Sequence, residues 1–350
     1  MPTSIADEGS MIGEPFEIIE GDAREIVASF TDATVVFQDP PWSELGVVST
    51  VRHAIEATSM ALHHLEGLAD AERDVGSDTI IGIGGGRALD TAKYLALHTG
   101  KRLVQIPSIL SVDAAFTHAA GVRTEGAVRY VGPIRPEFVV LDVPLVRSAP
   151  ARLNRAGAGD VVSCHTGLYD WSLAVATDTT YAWNTELASL AIDLLRDLDA
   201  GAADVAAVTD AGVRLLASSF RTIGATCARA GHSRFEEGSE HFFAYHYEHV
   251  TGLTPPHGEI VALGTVVMSE LQDNESARTV DLVRRCGIRC HPADLGLDRA
   301  TFDRIVRGLA RFVATRDYDV SIIDYRHADG SMLDRMWEIG NRIARVDRSA

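Results

Sequence analysis

Apolar positions follow two different rhythms along the chain. Up to about residue 150 they gather in short runs bounded by polar or turn-forming residues: FEII at 16–19, ATVVFQD at 33–39, DTIIGIGGG at 78–86, RLVQIPS at 102–108 and EFVVLDV at 137–143. These runs predict strands, and most are too apolar for one face to be solvated. Between them the spacing lengthens to that of helices, through VVSTVRHAIEATSMALHHLEGL at 47–68 and RALDTAKYLALHTG at 87–100. Strands alternating with helices predict a parallel sheet covered on both faces, a nucleotide-binding type of α/β domain over residues 1–150.

Past Pro150 the rhythm is helical throughout, as in TELASLAIDLLRDL at 185–198 and ARTVDLVRRCG at 277–287. Residues 151–350 are therefore expected to form an all-α domain. No internal repeat or low-complexity segment interrupts either region. In a two-domain protein of this kind the cleft between domains is the default place for a small-molecule site.

Composition narrows the chemistry. A chain of 350 residues with 46% hydrophobic content can bury two cores. Its net charge of -17 argues against nucleic acid or an anionic membrane as partner. An anionic substrate has to be held by a local cluster of positive groups or by a metal, against that overall field. The N-terminal stretch MPTSIADEGSMIGEPFEII is acidic and lacks the basic start and apolar core of a secretory signal. No stretch has the roughly 18 consecutive apolar residues of a membrane span. The four cysteines, Cys164, Cys227, Cys286 and Cys290, fit reduced thiols in a cytoplasmic protein. The Cys286/Cys290 spacing suits a metal, but ordinary buried thiols are the expected outcome.

Three clusters carry candidate chemistry. Gly84, Gly85 and Gly86 end a strand and open a helix that carries Asp90 and Lys93, where bare backbone and unpaired helical N–H groups suit a phosphate. Asp160 closes the sequence GAGD near the start of the helical region. The segment GHSRFEEGSEHFFAYHYEHVTGLTPPHGE holds five of the 13 histidines: His232, His241, His246, His249 and His257. A carboxylate and two imidazoles on separate helices can hold a divalent metal and leave positions open for substrate. His257 stands apart because prolines fix its approach. Asp39 ends the second strand, where a carboxylate can accept ribose hydroxyls and repel a 2′-phosphate; a turn-forming aspartate before Pro40 is the alternative.

The ordered motifs GGGRALDTAK, GAGD, SRFEEGSEH and PHGEIVALGT resemble the glycerol-1-phosphate dehydrogenase branch of the superfamily that also holds iron-containing alcohol dehydrogenases and dehydroquinate synthase. The resemblance runs from about residue 16 to 345. It implies a Rossmann-like α/β N-terminal domain that binds NAD or NADP and an all-α C-terminal domain that binds metal and substrate. The metal ligands it implies are Asp160, His241 and His257, with zinc ahead of nickel or iron. Gly84, Gly85 and Gly86 would pass along the pyrophosphate, with Asp90, Lys93 and Ser108 on the cofactor side and Asp113 beside the nicotinamide.

Departures from the family pattern bear on the substrate. Relatives usually read Ser-Arg-Pro-Ala-Ser-Gly before the ligand histidine, whereas this chain reads Ser233, Arg234, Phe235, Glu236, Glu237, Gly238. They usually carry a second histidine four positions after the first; here that position is Tyr245, and His246 follows it. One residue turns a side chain about 100° around a helix, so Tyr245 and His246 both stand as catalytic candidates. Arg234 is the candidate for an anionic substrate group, with Ser233, His232 and Ser239 as helpers and a salt bridge to Glu236 or Glu240 as its structural alternative. The expected activity is a metal-dependent, NAD(P)H-dependent reduction of a three-carbon carbonyl compound bearing phosphate or phosphonate. NADH is expected to be preferred, phosphonopyruvate is a concrete substrate, and the expected assembly is a homodimer. The alternatives are a dehydroquinate synthase-type cyclase that returns its NAD and a metal- and nucleotide-binding protein without turnover.

Overall fold

The computed structural model describes residues 16–46, 51–124, 127–177 and 181–345. The acidic N-terminal stretch and the first four residues of the 47–68 pattern lie outside the described residues. Contacts divide the chain into two units, Met1–Ala149 with Phe220–Gly231 and Pro150–Ser219 with His232–Ala350. One piece of the region read as a helical domain therefore belongs to the first unit. The reason is visible at Gly224, where an added Cβ would lie 1.8 Å from the Phe116 carbonyl oxygen, and at Phe220, whose ring centroid is 5.9 Å from that of Phe116.

Among the described residues the first unit holds eight strands: β1 (Glu17–Glu20), β2 (Ala33–Phe37), β3 (His53–Glu56), β4 (Thr79–Gly84), β5 (Arg102–Pro107), β6 (Ala120–Thr124), β7 (Ala127–Val131) and β8 (Phe138–Leu141). Six form one parallel sheet in the order β1-β8-β5-β4-β2-β3. Alternate residues of the central strands feed two cores. Ile80 and Leu103 pack with Leu65, Ala88, Ala92 and Leu95 on one face, while Ile81, Ile83, Val104 and Ile106 pack with Val27, Trp42 and Leu45 on the other. Each such side chain contributes about 1.5–3 kcal/mol on burial, which explains why these runs carry apolar residues toward both faces.

β3 corrects the expectation of one long helix over 47–68. Within that pattern His53–Glu56 pairs in parallel with the free edge of β2, and the helix starts only at Leu62. The strand alternates half-buried and exposed positions, as an edge strand does, and four residues are too few for periodicity to separate strand from helix. The antiparallel hairpin β6-β7 was also not anticipated, although Val-Arg-Thr and Val-Arg-Tyr-Val alternate as hairpin strands do.

After β2 the chain leads to β3 on one side, and after β4 it leads to β5 on the other. Adjacent strands whose continuations diverge open a crevice at their carboxyl ends, the usual nucleotide position in such sheets. Here that crevice lies at Gln38–Asp39 and Gly84–Gly86.

The second unit is helical throughout its described residues. Its centre is the helix His257–Gln272, in which every residue from Gly258 to Ser269 is buried. Helices Ser239–Thr251 and Gly330–Asn341 pack on it. No helix among the described residues is long and apolar enough to cross a membrane. Cys286 and Cys290 are buried free thiols, with burial pushing the Cys286 thiol up to about 12 and that of Cys290 also upward.

Candidate active site

Asp160 lies in the short helix Ala158–Val162, His241 in the first turn of Ser239–Thr251, and His257 opens His257–Gln272 directly after Pro256. Glycine brings two of these elements into backbone contact. A Cβ on Gly159 would meet Gly258 O at 2.0 Å, and one on Gly258 would meet Ala156 O at 1.8 Å. That approach sets Asp160 against His257. Each of Asp160, His241 and His257 offers one donor atom, and the three atoms lie within 4.8 Å of one another.

The surroundings of His241 show what the cluster is built to hold. Its Nδ1 lies 2.8 Å from Glu240 Oε1, and Glu240 also accepts the Gly238 N–H at 2.7 Å and the Thr166 hydroxyl at 2.7 Å. A carboxylate that takes the Nδ1 proton leaves Nε2 as the ligand atom and raises its basicity. Burial opposes a charge on His241, but the Glu240 hydrogen bond and the carboxylates of Glu237, Glu240 and Asp160 raise its pKa to about 10. A pocket with that preference for positive charge, presenting one carboxylate and two imidazoles, fits a divalent cation. The loop leading into the His241 helix is held from below by Asp170, which accepts the N–H groups of Ser239 and Ile322 at 2.8 Å each. Burial and the neighbouring Glu240 push the Asp170 carboxyl up to about 6.

Tyr245, one turn after His241, faces the cluster, with its ring centroid 6.1 Å from that of His241 and 6.4 Å from that of His257. Its hydroxyl donates to Glu237 Oε1 at 2.6 Å, and Ser233 donates to Glu237 Oε2 at 2.7 Å. Glu237, read from the sequence only as a departure from the family pattern, and Glu240, read only as an alternative partner of Arg234, thus stand beside the cluster; for Glu240 its place directly before His241 was a usable signal.

His246 does not join them. It is buried against the helix Arg299–Arg316, with Nδ1 2.8 Å from Ile305 O and its ring stacked 4.6 Å from that of Phe312. The single-residue turn of about 100° carries it off the face of Tyr245 and onto Ile305 and Phe312, so it is a packing histidine. Arg234 is 2% exposed. Its Nη2 donates to Val320 O at 2.5 Å and to Asp170 O at 3.4 Å, and Nη1 stands 3.9 Å from Asp319 Oδ2. Nη2 thus ties its loop to neighbouring backbone, while the buried Nε and Nη1 make no hydrogen bond; its ion pair among the described residues is with Asp319, not with Glu236 or Glu240. His232 packs its ring against Trp171 and Tyr181, and Ser239 is tied through its N–H to Asp170.

In the first unit the glycine turn has two physical causes. Gly84 has φ +143°, a backbone region that side chains disfavour. A Cβ on Gly85 would meet Ile109 Cδ1 at 2.8 Å, and one on Gly86 would meet Val112 Cγ2 at 3.1 Å. The Ser108–Asp113 segment therefore lies over the turn, and the Ser108 N–H donates to Gly84 O at 3.0 Å. The helix Gly86–Thr99 starts without a side-chain bond from its capping residue, while Gln38 Oε1 accepts the Ala88 N–H at 3.2 Å. Asp39 stands exposed two residues past β2, with Oδ1 accepting the N–H and hydroxyl of Ser43 at 3.1 and 2.6 Å.

Asp90 and Lys93 have a different role from the cofactor contact expected of them. Lys93 is fully buried, pairs with Asp90 at 2.7 Å, and donates to Thr117 Oγ1 at 2.9 Å and to the Ala119 carbonyl. All three of its donors are spent. Burial raises the Asp90 pKa against the opposing pull of Lys93 and the Gly121 N–H. The pair fastens the entry to β6 onto the helix.

The chain is similar to known proteins along most of its length. Residues 43–150 match the family model for iron-containing alcohol dehydrogenase. The glycerol-1-phosphate dehydrogenase [NAD(P)+] of Hyperthermus butylicus is 30% identical over 294 residues, which cover 83% of this chain and 80% of that one. The enzyme of the same name from Thermococcus kodakarensis is 26% identical over 81% of this chain and 85% of its own. Among solved structures, a probable glycerol dehydrogenase from Sinorhizobium meliloti superposes with a TM-score of 0.71 at 23% identity, covering 94% of this chain and 98% of its own. The glycerol dehydrogenase of Schizosaccharomyces pombe gives 0.70 at 16% identity over 94% and 90%. The chain belongs to the glycerol-1-phosphate dehydrogenase branch of the iron-containing alcohol dehydrogenase superfamily and is an NAD(P)-dependent, metal-containing dehydrogenase.

Proposed function

We propose that this enzyme interconverts the carbonyl and alcohol forms of a small three-carbon compound, with zinc held by Asp160, His241 and His257. The observation that carries the reading is the convergence of those three donors with Glu240 behind His241. The bound metal supplies Lewis acidity toward the substrate's carbonyl oxygen, and the reduced nicotinamide supplies the hydride. The chain's own groups do the rest. Glu240 fixes the His241 ring, and Tyr245 orients the substrate beside the ligands. In the first unit, Gly84–Gly86 and the open N–H groups of the helix they begin receive the pyrophosphate. Ser108 and Asp113, on the segment over that turn, bear on the nicotinamide end, and Asp39 accepts the ribose hydroxyls, which favours NADH.

The curated relatives are named for glycerol 1-phosphate, and the first candidate substrate by likeness is a phosphate ester. A phosphonate such as phosphonopyruvate makes the same demand for a cation. Arg234, which the sequence offers for that purpose, is buried, with Nη2 on backbone carbonyls and Nε and Nη1 without a hydrogen-bond partner.

The test is consumption of NADH and NADPH by the zinc-loaded protein against dihydroxyacetone, dihydroxyacetone phosphate, phosphonopyruvate and simple aldehydes. Net loss of reduced-cofactor absorbance during turnover is expected. A product formed with no net cofactor change would instead establish a cyclase of the dehydroquinate synthase type.

A further inference from the structure

The helical unit holds a cavity of about 450 Å³ apart from the metal cluster, between the helices Cys164–Ala174, Thr185–Ala207 and Ser276–Arg285. None of Asp160, His241, His257, Tyr245 or Glu240 lines it. Its size falls within the roughly 300–1,000 Å³ of small-molecule pockets. Leu168, Leu195 and Leu282 give it apolar walls, and Trp183 and Ile192, 39% and 48% exposed, leave part of that apolar surface open to solvent.

The charges around the cavity are sorted by sign. Its lining carries Arg196, Arg278 and Asp199. Asp199 is already taken, since its carboxylate and its carbonyl oxygen both accept from Arg285. His165, also in the lining, has Nε2 2.9 Å from Asn274 O, and burial holds its pKa below the ordinary histidine value, so at neutral pH it brings no charge. Arg196 pairs with Asp193 at 2.5 Å and Arg278 with Glu275 at 3.2 Å, but neither acid lines the cavity and all four side chains are more than half exposed. Exposed pairs of this kind are weakly held, and a guanidinium with five N–H donors keeps some for a further acceptor. Each arginine stands one helical turn from an apolar lining residue, Arg196 four positions after Ile192 and Arg278 four before Leu282. In a chain of net charge -17, two cations from separate helices thus flank an apolar hollow.

We propose that this cavity is a binding site for a medium-chain aliphatic carboxylate, whose chain lies against Leu168, Leu195 and Leu282 and whose head group is held by Arg196 and Arg278. The leucine walls select an aliphatic body, and the two guanidinium groups select a negative head over a neutral or cationic one. The site is separate from the catalytic cluster and stands independently of the reaction assigned to it.

The test is calorimetry on the zinc-loaded protein with octanoate, 1-octanol and octylammonium. Octanoate should bind at least tenfold more tightly than either of the others. The double variant Arg196→Gln, Arg278→Gln should weaken octanoate at least tenfold and leave 1-octanol unchanged. Ala188→Trp, which fills the cavity from Thr185–Ala207, should abolish octanoate binding; Ile192→Glu, which adds a negative charge at the opening, serves if that variant fails to fold. Because a carboxylate can also ligate zinc, octanoate is measured on the metal-free His257→Ala protein as well, where its affinity should match the wild type. Absence of octanoate binding overturns the proposal, as do equal affinity for 1-octanol, undiminished affinity in the folded double variant, or loss of binding together with the metal. A molecular mass that halves in Ile192→Glu, measured by light scattering, would show that a second copy of the chain covers this face and would overturn it equally.

Discussion

Glu240 Oε1 lies 2.8 Å from His241 Nδ1, and the same carboxylate accepts the Gly238 N–H and the Thr166 hydroxyl. The imidazole proposed as a metal ligand is therefore already held in orientation by Glu240. Glu240→Gln retains the side chain's shape but removes the charge that supports the ring, and should weaken zinc binding by about 10- to 100-fold. Competition with a chromophoric chelator measures this directly, with circular dichroism checking that the helical unit stays folded. Unchanged zinc affinity would show that Glu240 serves packing alone.

His257→Ala removes a ligand whose side chain is only half-buried, so metal and activity should be lost together while the fold persists. Elemental analysis after dialysis and a melting curve are the two measurements. Retained activity in a verified metal-free preparation would sink the assignment of the cluster.

His246→Ala is expected to behave in the opposite way. The ring stacks on Phe312 and bonds Ile305 O, so truncation leaves a cavity and an unmet carbonyl, costing about 2–4 kcal/mol of stability. Zinc content and kcat should stay near the wild-type values. Denaturant unfolding and steady-state kinetics on the same preparation separate the two effects.

The change from sheet to helix near Pro150, the glycine turn and the grouping of Asp160, His241 and His257 were legible because each rests on a local pattern: apolar runs, bare backbone and ordered motifs. β3 was not, since the four residues His53–Glu56 become a strand only through the open edge of β2, a partner distant from any window around them. Lys93 misled for a related reason. A basic side chain near a motif reads as a ligand for anions, yet its three donors go to Asp90, Thr117 and the Ala119 carbonyl. Glu237 was visible as a departure from the family pattern, but its bond to Tyr245 depends on how the loop folds onto the helix.

Glu72 anchors the first unit from within. Its carboxylate accepts from Lys101 at 2.7 Å and from Thr34 at 2.6 Å, and although burial acts to raise its pKa, Lys101, Thr34 and Ser77 together lower it. A lowered folded pKa means stability that is present above the unfolded value near 4.5 and is lost as pH falls through the lower folded value. Glu72→Gln leaves the Lys101 ammonium buried without its charge partner and should cost about 3 kcal/mol at pH 7. The gap in melting temperature between wild type and variant should narrow as pH falls below 4.5. A gap independent of pH would assign the effect to shape and not to charge.

Asp39 makes the cofactor preference testable. It stands exposed at the carboxyl end of β2, beside the Gln38 side chain that caps the helix of the glycine turn, and its Oδ1 is held by the N–H and hydroxyl of Ser43. A carboxylate anchored in this way at the end of the second strand suits the 2′- and 3′-hydroxyls of an adenosine ribose and repels a 2′-phosphate. The wild type should show kcat/KM for NADH roughly tenfold or more above that for NADPH. Asp39→Asn keeps an acceptor for Ser43 while removing the charge, so it should narrow the ratio chiefly by improving NADPH. Asp39→Ala should lose NADH affinity as well, because the ribose hydroxyls then have no acceptor at this position. A wild-type preference for NADPH, or a ratio that neither substitution moves, would mean that Asp39 only shapes the turn before Pro40.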